Sequence, residues 1–257
     1  MPTRTYAIML YAPFPNASFY YAECTSTIDR IQPYLAQGRL AEGTVWIADY
    51  QTNGRGQRQN NWESEVGKNL LFTLLLYPTV LAAAAVFALN MITSLAVYEA
   101  AAYWLNPINV AIKWPNDIYY KNKKLGGILI ATQIGKTHVK SAVISVGFNV
   151  NQLTFKTPFA TSLALHHAAP LDRSLLLNQM LHALGMYYGQ LQANKIESLW
   201  TCYLDKLYCK NEWHGFQTVN GYKHGKIVTV NSIGQLVIET YHGQQELYNP
   251  KEIAMVS

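Results

Sequence analysis

The chain has 257 residues, of which 50% are hydrophobic and 14% are charged, and its formal net charge is +5. This length and apolar content suit one large domain, or one domain with a small appendage, and exclude a disordered, collagen-like or coiled-coil protein. The mild positive charge is spread along the chain. It therefore suits an anionic small ligand or an acidic partner and gives little support to nucleic-acid binding.

The N-terminal part of the chain predicts strands and two helices. The hydroxyls of Thr25, Ser26 and Thr27 precede a helical pattern and are good N-cap groups. In chain order, the predicted elements are a strand at 5–11, a helix that starts at Ile28 and ends between Gly38 and Gly43, a strand at 44–50, a polar loop at 51–68, a strand at 69–77 and a helix at about 81–105.

Residues 70–98 contain no acidic or basic side chain. This stretch is long enough for a membrane span of ~20 residues. Pro78 divides this stretch, and its second half contains Asn90, Thr93 and Ser94. The pattern therefore favours a buried strand followed by a buried helix, with a membrane span as the alternative.

The remaining sequence predicts an antiparallel meander, then helices, then short strands. The meander comprises 110–120, 124–134 and 139–150, with Pro115 at a strand end or turn. Helices are predicted near 160–168, from the N-cap Asp172 to about residue 192, and at about 196–208. Short strands at Val219, 227–230, 236–240 and 246–248, separated by glycines, predict a small β-barrel that begins near Lys210.

The three cysteines, Cys24, Cys202 and Cys209, show no CxxC or other metal-ligand spacing. They predict reduced thiols in an intracellular protein, with neither a disulfide framework nor a zinc site. The first residues lack the pattern of a signal peptide, so we expect a cytoplasmic protein that is not exported.

Glycines flank Arg55 in the loop that follows the second predicted strand. Gly54 and Gly56 allow backbone N–H groups and the guanidinium to approach one anion closely. The alternative is an ordinary exposed turn. The spacing matches neither the dinucleotide-binding fingerprint nor the P-loop.

A second polar cluster lies at residues 113–117 (KWPND) and continues at 124–127 (KLGG). A cation, an amide and a carboxylate at a strand end could hold a phosphate, a magnesium ion and an incoming amine. The alternative is a proline-directed turn with solvated charges. Gly126 and Gly127 inside a strand pattern indicate close approach by a ligand or by another strand.

Asn149 and Asn151 alternate with apolar residues at the end of the meander and share one strand face. They either bind a ligand or cap the strand. His166 and His167 show no metal-ligand spacing and predict an exposed helix surface, and no catalytic triad follows from spacing alone.

Taken together and in this order, these motifs resemble those of biotin–protein ligases. The resemblance covers about residues 20–155, and the small C-terminal β-domain is also typical of that family. KWPND followed by KLGGIL is its most specific part. The motifs that carry it are Ser26-Thr27, Gln51, Gly54-Arg55-Gly56, Trp62, KWPND at 113–117, KLGGIL at 124–129 and Gly147-Phe148-Asn149. No DNA-binding domain is predicted before the first strand, so the chain resembles the monofunctional class and we expect no repressor role.

The resemblance implies an α/β fold, with a class II synthetase-like catalytic domain at 1–209 and an SH3-like β-barrel at 210–257. The catalytic domain should contain a mixed, largely antiparallel sheet with helices. It also implies two chemical steps. The biotin carboxylate attacks the α-phosphate of ATP, giving biotinyl-5'-AMP and pyrophosphate, and a lysine of a biotin carboxyl carrier protein then displaces AMP.

The resemblance assigns roles to individual residues. Lys124, Arg55 and Asp117 are expected to be catalytic, because two anions must meet and need fixed cations. Asp117 would orient the metal or the incoming lysine. The resemblance does not assign the other metal ligands. Ser26, Thr27 and Gln51 would pair with the ureido ring. The biotin-binding set is Ser26, Thr27, Gln51, Gly54, Arg55, Lys124, Gly126, Gly127 and Gly147. The nucleotide-binding set is Arg55, Gly56, Gln57, Arg58, Trp62, Lys113, Asn116 and Asn149.

The loop departs from the family pattern G-R-G-R-R-G-R. Gln57 replaces one arginine, Gln59 replaces a glycine and Asn60 replaces another arginine. The loop carries less positive charge, so we expect it to hold the adenylate less firmly. Equal release of biotinyl-adenylate from the wild type and Gln57→Arg would contradict that expectation.

Two alternatives remain open at this stage. One is a lipoate- or octanoate–protein ligase of the same superfamily, and the other is a non-catalytic sensor of biotin or nucleotide. Lys124→Ala should abolish turnover only in an enzyme. The expected substrates are biotin and ATP with Mg²⁺, and the expected partner is an acidic biotin carboxyl carrier of acetyl-CoA carboxylase or a related enzyme, docked by pairing sheet edges. We expect no nucleic-acid or membrane partner, and either a monomer or a homodimer.

Overall fold

A computed structural model describes residues 14, 17–38, 40–56 and 61–256. The predicted strand at 5–11 and the loop residues 57–60 lie outside this range. The first described strand, β1 (Ala17–Cys24), was not predicted. It is an edge strand whose residues are mostly half-buried or exposed, so it lacks the hydrophobic run that marked the central strands.

Within the described residues, seven strands form a mixed sheet in the order β1-β2-β3-β7-β6-β5-β4. Only the β1–β2 pair is parallel, which confirms the predicted largely antiparallel sheet. The meander contains four strands, because residues 110–120 form two strands around a turn at Pro115. The further strands are β2 (Thr44–Gln51), β3 (Leu70–Leu76), β4 (Val110–Lys113), β5 (Asp117–Tyr120), β6 (Lys123–Ile134) and β7 (Val139–Phe148).

Helices cover both faces of the sheet. α1 (Thr27–Gln37) packs on one face through Ile28 and Ile31, which contact a small core around Trp46. The opposite face carries the main hydrophobic core, formed with α2 (Phe87–Trp104), α3 (Arg173–Gln192) and α4 (Ile196–Asp205). α3 begins as predicted, because the Asp172 carboxylate accepts a hydrogen bond from the Ser174 N–H at 2.8 Å. The helix predicted near 160–168 is only a 3₁₀ turn, Leu163–Leu165.

The hydrophobic stretch of the sequence forms β3 and α2. The helical segment Ala83–Trp104 is long and apolar enough to cross a membrane by length and composition, and 67% of its most apolar window is buried inside the protein. β3 is buried over its whole length. Both observations are typical of a core strand and a core helix.

The C-terminal strands form a second, five-stranded antiparallel sheet in the order β11-β10-β9-β8-β12 within the described range. They are β8 (Trp213–Thr218), β9 (Gly221–Val230), β10 (Leu236–Glu239), β11 (Gln245–Tyr248) and β12 (Ile253–Met255). Val219, predicted to lie in a strand, lies instead in the exposed turn between β8 and β9. Whether 210–257 is a separate domain stays a prediction.

The second sheet packs directly against the main core. The Trp114 indole N–H donates to the Gly234 carbonyl at 2.9 Å. Gly234 has φ +89° and lies against the Phe87 ring, where a Cβ would approach within 2.3 Å. Only glycine meets both demands, since its φ is positive and no side chain fits there.

Candidate active site

A cavity of about 280 Å³ opens on the α1 face of the large sheet. Its walls come from the start of α1, the end of β2 and the loop that follows it, β3, the turn between β4 and β5, the first half of β6 and the end of β7. The lining residues are Ser26, Thr27, Ile28, Gln51, Arg55, Gly56, Asn61, Trp62, Phe72, Pro115, Asn116, Asp117, Lys124, Gly127, Ile128, Leu129, Ser145, Val146 and Gly147. Motifs spread over about 120 residues of sequence therefore meet in one pocket.

One end of the cavity is a neutral hydrogen-bond network around Gln51. The Gln51 amide oxygen accepts the Thr27 backbone N–H at 2.7 Å and the Ser26 and Thr27 hydroxyls at 3.1 Å each. Because a backbone N–H can only donate, the atom that faces α1 must be the amide oxygen. Ser26 precedes α1 as predicted, but its hydroxyl pairs with Gln51 instead of capping the helix.

The network continues into the sheet through two residues that the sequence analysis missed. Thr73 and Ser145 are direct cross-strand partners on β3 and β7. The Thr73 hydroxyl donates to the Thr27 hydroxyl at 2.7 Å and lies 2.8 Å from the Ser145 hydroxyl. Thr27 uses its only proton toward Gln51, and Thr73 uses its only proton toward Thr27, so Ser145 must donate to Thr73. The proton directions in this chain are thereby fixed.

The fixed directions determine what this end can bind. The Ser26 and Ser145 hydroxyls already donate their protons within the network, so toward a ligand their oxygens can only accept hydrogen bonds from N–H groups. Gln51 supplies amide N–H donors for a carbonyl. Ser26 is buried, so an apolar ligand here would leave its lone pairs and the Gln51 amide N–H groups unpaired at a cost of about 1–3 kcal/mol for each. The pocket end suits an uncharged ligand that carries both N–H and C=O groups.

The other end carries two cations, each held by a carboxylate. Lys124 on β6 lies 2.8 Å from Asp117 on β5, and both side chains are about one-third exposed. Arg55 lies 2.8 Å from Asp29 in the first turn of α1, and its side chain is 54% exposed. Pairs this exposed are weak, typically 0–1 kcal/mol, so an incoming anion can exchange with the carboxylate.

Trp62 separates these two ends. Its ring lies over Gly147 and Gly127, where added Cβ atoms would approach to 2.6 and 3.2 Å. Its Nε1–H is buried and has no hydrogen-bond partner in the described part of the chain. The space directly over these two glycines, predicted to hold the ligand, is therefore occupied by the Trp62 ring.

Two predicted glycines lie outside the cavity wall. The space over Gly126 faces the buried Phe148 ring, 2.7 Å from an added Cβ, so this glycine serves core packing and not the ligand. Gly54 packs behind Gln51 and Trp62, with contacts of 3.3 Å to each from an added Cβ. Gly126 is therefore needed for close approach by protein atoms, which was the alternative interpretation of this residue, whereas a side chain at Gly54 would only be tightly packed.

The predicted nucleotide residues divide into three groups. Asn116 and Gly56 line the cavity with Trp62 and Arg55, and Asn116 donates its side-chain N–H to the Ile128 carbonyl. Lys113 lies elsewhere: its ammonium donates to the Tyr119 hydroxyl at 3.2 Å and does not line the cavity. Gln57 and Arg58 lie outside the described residues.

Asn149 is buried, does not line the cavity, and has a side-chain oxygen without a donor in the described part of the chain. Its amide N–H donates to the Thr161 carbonyl at 2.9 Å, whereas its Oδ1 is buried and finds no donor among the described residues. The Thr161 hydroxyl lies 2.8 Å from Nε2 of His166, and burial, followed by the charges of Lys121 and Lys123, lowers the pKa of this histidine. An orphan acceptor of this kind fits an amino group such as that of adenine.

Comparisons with known proteins identify the family. Residues 20–151 match the model of the Biotin/lipoate A/B protein ligase family. The bifunctional ligase/repressor BirA of Bacillus spizizenii is 30% identical over 240 residues, covering 89% of this chain and 71% of the relative. The biotin–[acetyl-CoA-carboxylase] ligase of Mycobacterium tuberculosis is 31% identical over 167 residues, covering 63% of this chain and 60% of the relative.

Solved structures agree on the fold. The biotin protein ligase from Aquifex aeolicus in complex with biotin and ATP superimposes with a TM-score of 0.77 at 24% identity, covering 94% of this chain and 99% of that one. On the family match and the relatives' identity, this chain belongs to the Biotin/lipoate A/B protein ligase family.

Proposed function

We propose that this chain is an ATP-dependent ligase that activates biotin as biotinyl-5'-AMP and transfers it to a lysine of a biotin carboxyl carrier protein. One observation carries the proposal: a single cavity joins a neutral donor–acceptor network to a pair of cations, Arg55 and Lys124. Biotin has the matching layout, with an uncharged ureido ring at one end and a carboxylate at the other. Relatives named as biotin ligases support the same activity.

In the first step, a biotin carboxylate oxygen attacks the α-phosphorus of ATP and pyrophosphate leaves. Both reactants are anions, so Lys124 and Arg55 lower the repulsion between them and stabilise the charge that develops on the phosphate. Each cation exchanges its carboxylate partner, Asp117 or Asp29, for the ligand. Trp62 would lie against the adenine ring, and the Asn149 Oδ1 would accept its amino N–H.

In the second step, the lysine amine of the carrier attacks the acyl carbon, the acyl–phosphate bond breaks, and AMP and a proton leave. Asp117 lies at the cavity wall next to Lys124, where its carboxylate can orient the incoming amine. The acceptor is then a carrier domain with one exposed lysine, and the name of a relative points to acetyl-CoA carboxylase as the enzyme that carries it.

Magnesium is the expected companion of ATP. Among the described residues, Asp117 is the one carboxylate that lines the cavity, and it pairs with Lys124. This donor set fits an ion that is held mainly through the phosphates, with Asp117 as a single protein ligand. We further propose a cytoplasmic protein without nucleic-acid or membrane partners, with an SH3-like C-terminal sheet.

The lipoate alternative meets a physical objection. The end of lipoate that corresponds to the ureido ring is an apolar disulfide ring, which cannot pair with Ser26, Gln51 or Ser145. Leaving buried polar groups unpaired is costly, and sites built around such groups reject analogues that lack the partner. The neutral network therefore favours biotin.

The experiment is biotin-dependent exchange of labelled pyrophosphate into ATP with magnesium, run beside lipoate and octanoate. Exchange with biotin alone is expected. Exchange with a fatty acid alone would assign the chain to the lipoate branch. If none of the three acids supports exchange and biotin still binds, the chain is better described as a non-catalytic sensor.

A further inference from the structure

The turn after α4 and the start of β8 bring together three side chains of types that bind metals. The ligand atoms of Cys209, Glu212 and His214 all lie within 4.8 Å of one another. The Glu212 carboxylate is 3.2 Å from Nε2 of His214. The sequence predicted no zinc site at the cysteines, because the spacing C-x₂-E-x-H is not one of the recognised zinc patterns, and the cluster revises that expectation.

The backbone holds the three positions in place. The Tyr208 N–H donates to the Ile112 carbonyl at 2.9 Å, just before Cys209. The Asn211 N–H donates to the Ile227 carbonyl at 2.8 Å, just before Glu212. His214 is paired with Gly225 in the β8–β9 ladder. The backbone around the three residues is thus held by main-chain hydrogen bonds that need no ion.

We propose that Cys209, Glu212 and His214 form a binding site for one Zn²⁺ ion. The three donors, a thiolate, a carboxylate and an imidazole, are those that zinc prefers, and water would complete a tetrahedral shell. The thiolate and the carboxylate together balance the charge of the ion, and the thiol proton is released on binding. Magnesium does not suit this set, because it requires oxygen ligands in an octahedron.

The site is separate from the ligand cavity, since none of its three residues lines that cavity. It lies where the chain passes from the large sheet to the second sheet, between the backbone bonds to Ile112 and Ile227. A bound ion would connect the turn to β8 and hold the junction between the two sheets more firmly.

The test uses the metal-stripped full chain and Co²⁺ as a spectroscopic probe for the zinc site. One equivalent of Co²⁺ should produce the near-ultraviolet charge-transfer band of a cobalt–thiolate bond. Cys209→Ser should lose this band, whereas Cys202→Ser, at an exposed cysteine outside the cluster, should keep it. Absence of the band in the wild type, or its survival in Cys209→Ser, would overturn the proposal.

A second measurement needs no variant and so does not depend on folding of the mutants. The wild-type chain is treated with iodoacetamide, and labelling of each cysteine is followed by mass spectrometry. One equivalent of Zn²⁺ should slow labelling of Cys209 at least tenfold and leave Cys202 unchanged, and excess Mg²⁺ should protect neither. Equal labelling of Cys209 with and without Zn²⁺ would overturn the site. Both tests omit biotin and ATP, so their result is independent of the ligase activity.

Discussion

The two ends of the ligand cavity are built from different forces. At the ureido end, neutral hydroxyls and one amide hydrogen-bond to one another over distances of 2.7–3.1 Å, and the remaining lone pairs and N–H groups face the ligand. At the carboxylate end, two cations form partly exposed ion pairs with Asp117 and Asp29. The first end is ready for its ligand before binding. The second must exchange partners when the ligand arrives.

This difference has a mechanistic consequence. A preformed neutral end selects the ligand by its hydrogen-bond pattern, because every mismatch leaves a buried polar atom unpaired. A charged end with exchangeable partners keeps Arg55 and Lys124 near the reacting atoms without placing bare cations in the pocket. Changes at the charged end should therefore alter the rate of adenylation, whereas changes at the neutral end should alter affinity and selectivity for biotin.

Lys124→Ala should have the largest effect. Loss of a charge that stabilises the transition state typically lowers turnover about 10²–10³-fold. Pyrophosphate exchange should fall by this amount while thermal stability changes little, since the Lys124 side chain is 35% exposed. Lys123→Ala, at the exposed neighbour on the same strand, is the matched control and should retain exchange. Equal losses in both variants would contradict a specific role for Lys124.

Gly147→Ala and Gly126→Ala should separate the cavity from the core. A Cβ at Gly147 would meet the Trp62 ring at 2.6 Å, so the indole must move and nucleotide affinity should fall about 10–100-fold. A Cβ at Gly126 would meet the Phe148 ring at 2.7 Å, which should destabilise the fold by about 1–3 kcal/mol. Calorimetric titration of ATP and thermal unfolding of both variants test this. If Gly126→Ala loses ATP affinity without losing thermal stability, Gly126 contributes to the ligand site and not to core packing.

Much of the site follows from the sequence because loops carry recognisable chemistry. Arg55, Asp117 and Lys124 lie in motifs rich in glycine and charge, and all three line the cavity. Thr73 and Ser145 were missed because each is a single hydroxyl inside a hydrophobic strand. Only the pairing of β3 with β7 places them side by side. Asp29 was also not predicted, because its ion pair with Arg55 depends on how α1 packs against the loop and not on a local sequence pattern.

The fold, like the site, has parts that the sequence predicts and parts that depend on tertiary contacts. The central strands and α2 were predicted because they are long, uncharged and buried. β1 was not, because a half-exposed edge strand has no clear period. Lys113 was assigned to the nucleotide from its motif, yet its ammonium donates to the Tyr119 hydroxyl and the residue does not line the cavity. Lys113 and the cavity residue Asp117 are cross-strand partners, so the hydrogen bond to Tyr119, which the motif does not show, decides where the ammonium lies.

Thr73→Val tests the neutral end directly. Valine keeps the shape but removes the hydroxyl, so Thr27 loses a donor and Ser145 loses its acceptor. Biotin affinity should fall about 10-fold, consistent with roughly 1–2 kcal/mol for a broken buried hydrogen bond, while ATP affinity stays unchanged. Ser94→Ala is the matched control, because the Ser94 hydroxyl is buried in α2 and has no partner in the described chain. Titration calorimetry with biotin and with ATP measures both. An equal loss of ATP affinity would contradict the separation of the two ends.

Asp29→Asn should have the smallest effect, and it should strengthen ligand binding instead of weakening it. The substitution removes the charge that competes for Arg55, so the guanidinium meets the ligand anion without first breaking an ion pair. Because exposed pairs contribute about 0.2–1 kcal/mol, affinity for biotinyl-adenylate should rise about 1.5–5-fold. Glu239→Gln breaks a similar pair with Lys226 in the second sheet and should leave this affinity unchanged. Weaker binding by Asp29→Asn would mean that Asp29 positions Arg55 for the ligand, and the charged end would then be as preformed as the neutral one.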